Sequence, residues 1–354
     1  MACDVVWGAA RMIGIRRAFL AVFVVAAAAL VALSARAAPQ ETATAKTLKV
    51  SIPAKTPLFA PYFIALDKKY YAAEGLDVEL VEAAGGVATP ALLSGTIDVS
   101  TSSASAVSAA IRGAHIKIVY TMADRLPDQL WASRPEYKTL KDLKGLTVGI
   151  ASRGDTYEIA MRSALEGAGL PQSWVGYTPL GFAVSARLAA LISGSLPAVM
   201  ITPTSMGTAR TDGSLKRSHL MIDFSKTLQL PYTGAAVSDT LLKNDPRTVE
   251  GFLRATIRGV RYALAFEPQT LAILQKHNPQ TDAKVLLEGY RDTVPTMTKV
   301  GTVSDELIRT DLNVRATILN IDPGRVPPIN AIYDYALARK VTAQIDASGW
   351  KPTP

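Results

Sequence analysis

Hydroxyl side chains collect just past a short apolar strand at 97–99: Thr101, Ser102, Ser103 and Ser105 run straight into a helical stretch over 104–112 that Gly113 closes. Strand, polar turn and helix N-terminus in that order leave backbone N–H groups and the positive end of the helix dipole facing the turn. That arrangement holds a carboxylate, sulfonate or phosphate without a charged side chain. The same pattern returns at 188–205, where a helix ends at Ser193-Gly194, an apolar strand follows over 197–201, and Thr202, Thr204 and Ser205 stand past its end.

Three further groups could line such a cradle. Phe59 and Tyr62 sit at the mouth of a helix expected over 62–71, where aromatic faces serve a pocket or pack a loop. Ser152-Arg153-Gly154-Asp155-Thr156 follows an apolar strand and opens a helix, and Asp155 with Glu158 three residues on fits a capping box. A capping carboxylate repels an anion, which makes the Ser102 turn the better anion seat, with Arg153 placed to offset that repulsion. Tyr232 and Thr233 lie in an apolar run over 230–238 that brings the chain back to the cleft.

The elements that must position these residues alternate at short intervals, the pattern of a doubly wound parallel sheet. Strands are expected over 48–52, 76–81, 97–99 and 115–122 in a first half, and over 146–151, 174–178, 197–201 and 219–224 in a second. The sequence predicts an α/β protein of two lobes, residues 38–130 with 233–354 and residues 131–232, clamping a solute beyond the carboxyl ends of their strands. From 246 onward the amphipathic spacing predicts helices over 247–266, 269–276 and 282–290 that cover the first lobe.

A chain of 354 residues with 49% hydrophobic content can bury a large core. Its formal charge of +8 comes from scattered Lys and Arg, with no basic block, helix-turn-helix or zinc pattern, so no nucleic-acid partner is expected. His115, His219 and His277 lie far apart, which argues against a metal site. No Ser-His-Asp constellation, P-loop or Rossmann fingerprint stands out, so neither catalysis nor a cofactor is expected.

Arg11, Arg16 and Arg17 precede an apolar run over 18–33, and Ala35-Arg36-Ala37 offers small residues at the two positions a signal peptidase reads. The run is short beside the about 20 residues of a membrane span. It predicts a signal peptide over 1–37, cleaved after Ala37, and a periplasmic protein. Arg16-Arg17-Ala18-Phe19-Leu20 also matches the core of a twin-arginine signal, leaving both export routes open. Four arginines and Asp4 would leave with the leader, lowering the formal charge by three, and so would Cys3, the single cysteine.

The stretches YYAAEGLDVELVEAAGG and LLSGTIDVSTSSASAVSAAIRGAHIKIV, with LKDLKGLTVGI and the second helix, Ser-Gly and strand unit, resemble the periplasmic substrate-binding proteins of nitrate, sulfonate and taurine ABC importers. The resemblance spans most of 48–266. It implies a two-lobed type II periplasmic-binding-protein fold and a monomer that closes on a small solute for an inner-membrane ABC permease. It also implies pocket roles for the loop before Tyr62, for Ser102 and Ser103, for Arg153, Gly154, Asp155 and Thr156, and for Thr202 through Thr204. In one departure, Pro197 follows Gly194 where that family carries an acidic residue, whereas Asp98 keeps the first copy of the motif. Asp98 itself is expected to satisfy nearby N–H groups. Hydroxyl-lined helix ends with few acids, beside Phe59, Tyr62, Trp131 and Tyr232, suit a small organic anion, a sulfonate or an aromatic carboxylate. A neutral pyrimidine is the alternative, because the thiamine-pyrimidine synthases resemble the same family; their cysteine-rich motif is absent here. An exported sensor subunit docking on a membrane kinase is a further reading.

Overall fold

The computed structural model describes residues 45–181, 184–203, 206, 209, 210 and 213–354. The expected leader at 1–37, with its cleavage site and Cys3, lies outside the described residues, as do Thr204 and Ser205. Alternating apolar residues form β1 (Lys46–Ile52) and β2 (Leu76–Glu82), which pair in parallel with Leu48 opposite Val78 and Val50 opposite Leu80. The two-residue β3 (Val99–Ser100) runs parallel to β1 on its other side. β4 (Ile116–Arg125) is buried along most of its length, as a strand covered on both faces must be. Leu126, Pro127 and Asp128 alone separate it from β5 (Gln129–Ala132), which belongs to a second sheet with β6 (Thr147–Ile150), β7 (Gly176–Pro179), β8 (Ala198–Ile201) and β9 (His219–Asp223). β10 (Gln229–Ser238) returns to the first sheet, giving the orders β2-β1-β3-β10-β4 and β7-β6-β8-β5-β9.

Neither sheet is wholly parallel. β10 is antiparallel to β3 and β4, and β5 is antiparallel to β8 and β9. The connectivity requires it: each of these strands is entered from the opposite sheet, so it starts at the edge where its parallel neighbours end. Strand alternation in the sequence could not distinguish a strand reached by a βα crossover from one reached by a direct crossing.

The helices that matter for the site are α1 (Ala60–Asp67), α2 (Gly85–Leu93), α3 (Ser103–Ile111), α4 (Thr156–Gly167) and α5 (Val184–Ser193). The helix expected over 62–71 stops at Asp67, because Lys69 adopts a left-handed turn (φ +57°). That turn swings Tyr71 into the core, where its hydroxyl meets Thr256 Oγ1 at 3.0 Å. Beyond β10 the chain is helical: α6 (Pro246–Ala265), α7 (Glu267–His277), α8 (Ala283–Thr293), α9 (Asp305–Ile318) and α10 (Ala336–Ala347). α6 buries Phe252, Thr256 and Val260 on one face and turns Arg254 and Arg258 to Glu74 on the other. Phe252 stacks with Tyr62 and Tyr71 at ring separations of 6.3 and 5.7 Å. Burying each such side chain contributes about 1.5–3 kcal/mol, so this aromatic cluster holds α1 against α6.

Candidate solute-binding cleft

A cavity of about 160 Å³ is lined from both sheets, at the carboxyl ends of their parallel strands. Pro53 follows β1, Thr101 and Ser102 follow β3, and Asp128 follows β4; Thr202 follows β8. Ligands of open α/β sheets sit at this edge because each strand delivers a loop there and each following helix presents its N–H end. Ser102 is the N-cap of α3, yet its side chain caps nothing, and its Oγ has no partner. Thr101 Oγ1, fully buried, is also unpartnered, while the Thr101 carbonyl accepts from Thr233 Oγ1 at 2.8 Å. Gly85, the first residue of α2, keeps this corner open, since a Cβ there would strike the Ser105 side chain.

The opposite wall carries charge. Asp128, wholly buried on the short link between β4 and β5, accepts from Tyr157 at Oδ1 (3.1 Å) and from Tyr232 at Oδ2 (3.0 Å). Burial pushes its carboxyl up to about 6, against the opposing pull of Arg187 and of the two hydroxyl donors. Arg187, on α5 and 3% exposed, lies over the Tyr157 ring at 4.9 Å and donates from Nη1 to the Met200 carbonyl at 3.2 Å. Its Nε has no partner. Burial works against the Arg187 charge, but Tyr157, Asp128 and Tyr232 outweigh it and raise the pKa. Asp155 caps α4, accepting at Oδ1 from the N–H groups of Tyr157 and Glu158 and at Oδ2 from that of Ser152. Burial pushes it up to about 6 as well, with those N–H groups and the Arg187 charge pulling the other way.

Of the residues expected from sequence, Phe59, Ser102, Asp155, Thr156, Thr202 and Tyr232 line the cavity. Tyr62, Ser103, Arg153 and Gly154 do not, each for a physical reason. The Tyr62 ring is fully buried among Phe59 and Phe252, and its hydroxyl donates to the Gly234 carbonyl at 3.0 Å. Ser103 turns into the core as the first residue of α3. Arg153 is held by buried Glu158 at 3.3 Å and covers the Tyr177 ring. Gly154 donates its N–H to Glu158 Oε2 at 2.8 Å, so the reciprocal contact of the expected capping box falls one residue before the cap. Thr204 lies outside the described residues. Trp131 packs beside Leu191 and Val199, with its Nε1–H on Gln129 Oε1. Asp98 accepts the Lys49 N–H at 2.8 Å and ties its loop to β1.

Sequence reasoning missed Asp128, Arg187 and Tyr157. Asp128 follows a proline in a link between apolar strands and reads as an ordinary turn acid. Arg187 carried a usable signal, since it falls on the same helical stripe as Val184, Leu188 and Leu191, where a cation has no place unless something meets it.

Two mixed sheets crossed twice by the chain, with the cavity between them, define a periplasmic-binding-protein fold. An alkanesulfonate-binding protein from Xanthomonas axonopodis pv. citri, solved bound to MOPS, shares it with a TM-score of 0.67 at 16% identity, over 81% of this chain and 98% of that one. A Bordetella bronchiseptica RB50 protein superposes with a TM-score of 0.72 at 20% identity, over 85% and 98% of the two chains. The chain belongs to the NMT1/THI5-like family, whose model matches residues 56–270. A curated relative, the riboflavin-binding protein RibY of Chloroflexus aurantiacus, is 30% identical over 217 residues, which are 58% of this chain and 59% of that one.

Proposed function

We propose that the chain is the extracytoplasmic solute-binding subunit of an ABC importer. One observation carries this reading: a single cavity draws its wall from both sheets and from the chain crossings between them, so one solute would touch everything that must move for the cleft to open. Residues 38–130 with 233–354 form one lobe and residues 131–232 the other. A bound solute shifts the population toward a closed form that an inner-membrane permease accepts, with the subunit acting as a monomer and without covalent chemistry. The leader at 1–37 takes the chain to the periplasm. Names in the surrounding family favour a small organic solute, an alkanesulfonate in one neighbour and riboflavin in the curated relative. Among the charged side chains at the cavity, Asp128 and Asp155 stand against the small organic anion expected from sequence and Arg187 stands for it, so the neutral pyrimidine is kept as the alternative.

A thermal-shift screen of the full chain against sulfonates, carboxylates, nitrate, pyrimidines and flavins tests the reading, because a solute that binds only the folded state raises the midpoint. A raised midpoint with one class, lost when Ser102 is replaced by Leu, is the expected result. Flat midpoints across all classes, or a shift untouched by Ser102→Leu, would count against it. Fusion of residues 1–38 to a reporter tests export, and a cytoplasmic reporter would remove the periplasmic assignment.

A further inference from the structure

We infer that Arg210 and Glu288 form an ion pair between the two lobes, and that this pair, though outside the cavity, sets the balance between closed and open forms of the cleft and with it the hold on a solute. This rests on the reading of the chain as a two-lobed clamp.

The two residues stand on opposite walls. Arg210 belongs to the second lobe, in the segment that follows Pro203, and Glu288 belongs to the first, on α8, which ends at Thr293. Pro203 and Thr293 both line the cavity, so each partner sits in a segment that reaches it. Arg210 Nη1 is 3.7 Å from Glu288 Oε2. That oxygen is closed off from solvent and accepts no hydrogen bond, which leaves the Arg210 charge to meet it. Neither residue lies on a chain crossing, so opening the cleft parts the two charges.

The surroundings make Arg210 the deciding member. Its guanidinium lies over the ring of Trp131 at 5.6 Å, a cation–π contact that holds it from within its own lobe. On α8 a second acid, Asp292, follows Glu288 by one turn. Burial raises the Asp292 pKa; Arg210 pulls it down, Asp223 and Glu288 push it further up, and Lys226 opposes them. Lys226 is already paired with Asp223 at 3.1 Å inside the second lobe. Arg210 is therefore a cation shared by two carboxylates of the first lobe. Without it, two acids one turn apart face Asp223, and their repulsion drives the walls apart. Without Glu288, Asp292 still attracts Arg210, so the loss is smaller. A partly exposed ion pair of this kind shifts a two-state ratio by about two- to fivefold. Solute affinity follows that ratio, because the solute binds the closed form.

The test reads lobe separation directly. Val87 on α2 and Ala186 on α5 are exposed, and their neighbours Gly85 and Arg187 line the cavity from the first and second lobes. The full chain carrying Cys3→Ser, Val87→Cys and Ala186→Cys takes a nitroxide at each new thiol, and electron–electron resonance gives the distance distribution without added solute. Arg210→Gln is expected to lower the closed-to-open ratio about two- to fivefold, and Glu288→Gln to lower it less. The double variant should be less open than Arg210→Gln alone, because one of the repelling acids is gone. Raising NaCl from about 20 to about 500 mM should open the otherwise unchanged chain and leave the double variant in place. Cooperative melting shows that each variant is folded. Unchanged distances in Arg210→Gln, or single effects that simply add, overturn the inference. In either case two distances in the unchanged chain leave the clamp reading intact. A single distance under every condition also overturns the inference, and the thermal-shift screen then judges the receptor reading separately. The salt arm needs neither charge variant, so it decides even if those variants fold poorly: no response to salt overturns the pair.

Discussion

The Tyr232 hydroxyl donates to Asp128 Oδ2 at 3.0 Å. Tyr232 lies on the strand that returns from the second sheet, and Asp128 on the link that leaves the first, so this hydrogen bond joins the two chain crossings at the cavity wall. The Tyr157 hydroxyl, from the second side of the cavity, takes the other carboxylate oxygen.

Removing one of those donors should loosen the wall without emptying it. Tyr232→Phe is expected to cost about 1–2 kcal/mol of stability, the price of a buried hydrogen bond to a charged acceptor. It should also weaken solute binding several-fold, because Asp128 is then held on one side only. Urea denaturation and calorimetry on the same preparation check both, and unchanged values in each would remove the joining role.

The Asp128 carboxyl makes stability depend on pH in a definite direction. Burial lifts its pKa to about 6 from an ordinary 3.8. Below both values the group is protonated, folded or unfolded, and burial carries no charge penalty. Above about 6 it is ionised in both states and the penalty is complete, so its contribution falls as pH rises from about 4 to about 6. Asp128→Asn should therefore gain on the parent protein by about 2–3 kcal/mol between pH 4 and pH 7.5, taking about 1.4 kcal/mol per pKa unit. Denaturation midpoints at the two pH values give the difference, and a gain that shrank with rising pH would contradict the assignment.

Behind the Ser102 turn, Arg315 is fixed in a fully buried network. Its Nε donates to Asp311 Oδ2 at 2.7 Å, and its Nη1 donates to the Ala104 carbonyl at 2.8 Å and to Ser108 Oγ at 3.1 Å, fastening α9 to α3. Arg315→Met strands the Asp311 charge and should destabilise by about 3–5 kcal/mol. Adding Asp311→Leu should recover a large part of that loss. A double variant no more stable than the single one would mean that the hydrogen bonds to α3, rather than the stranded charge, dominate.

Two helical glycines should respond oppositely to alanine. Gly86 in α2 has open space where a Cβ would go, so Gly86→Ala should stabilise by about 0.5–1 kcal/mol through helix propensity. At Gly259 in α6 the same Cβ would meet the Pro61 backbone, which cannot rotate aside. Overpacking of about 1–3 kcal/mol then outweighs the propensity gain, and Gly259→Ala should melt lower than the parent protein.

The sequence by itself determined the elements and their ends. Periodicity marked the strands and the long helices after 246, and Ser94-Gly95 and Ser193-Gly194 marked helix ends where each glycine takes positive φ (+76° and +69°). The spacing of Asp155 and Glu158 was enough to read a helix cap, since capping is decided within one turn of chain. Hydroxyls at strand ends were legible for the same reason: Thr101 with Ser102, and Thr202, come within two residues of their strands, and a strand end fixes what stands at the cleft edge.

Tertiary structure alone decided the direction of β5 and β10, because strand direction depends on which sheet the chain comes from. It alone also decided which aromatic rings face the cavity. Tyr62 and Tyr232 look equivalent in the sequence, but the first is drawn into the core by Phe252 and Gly234, and the second is held at the wall by Asp128. The charge of the site was illegible for the same physical reason. Asp128 and Arg187 are 59 positions apart on different elements, and nothing local in either stretch records that folding will bury both against one cavity.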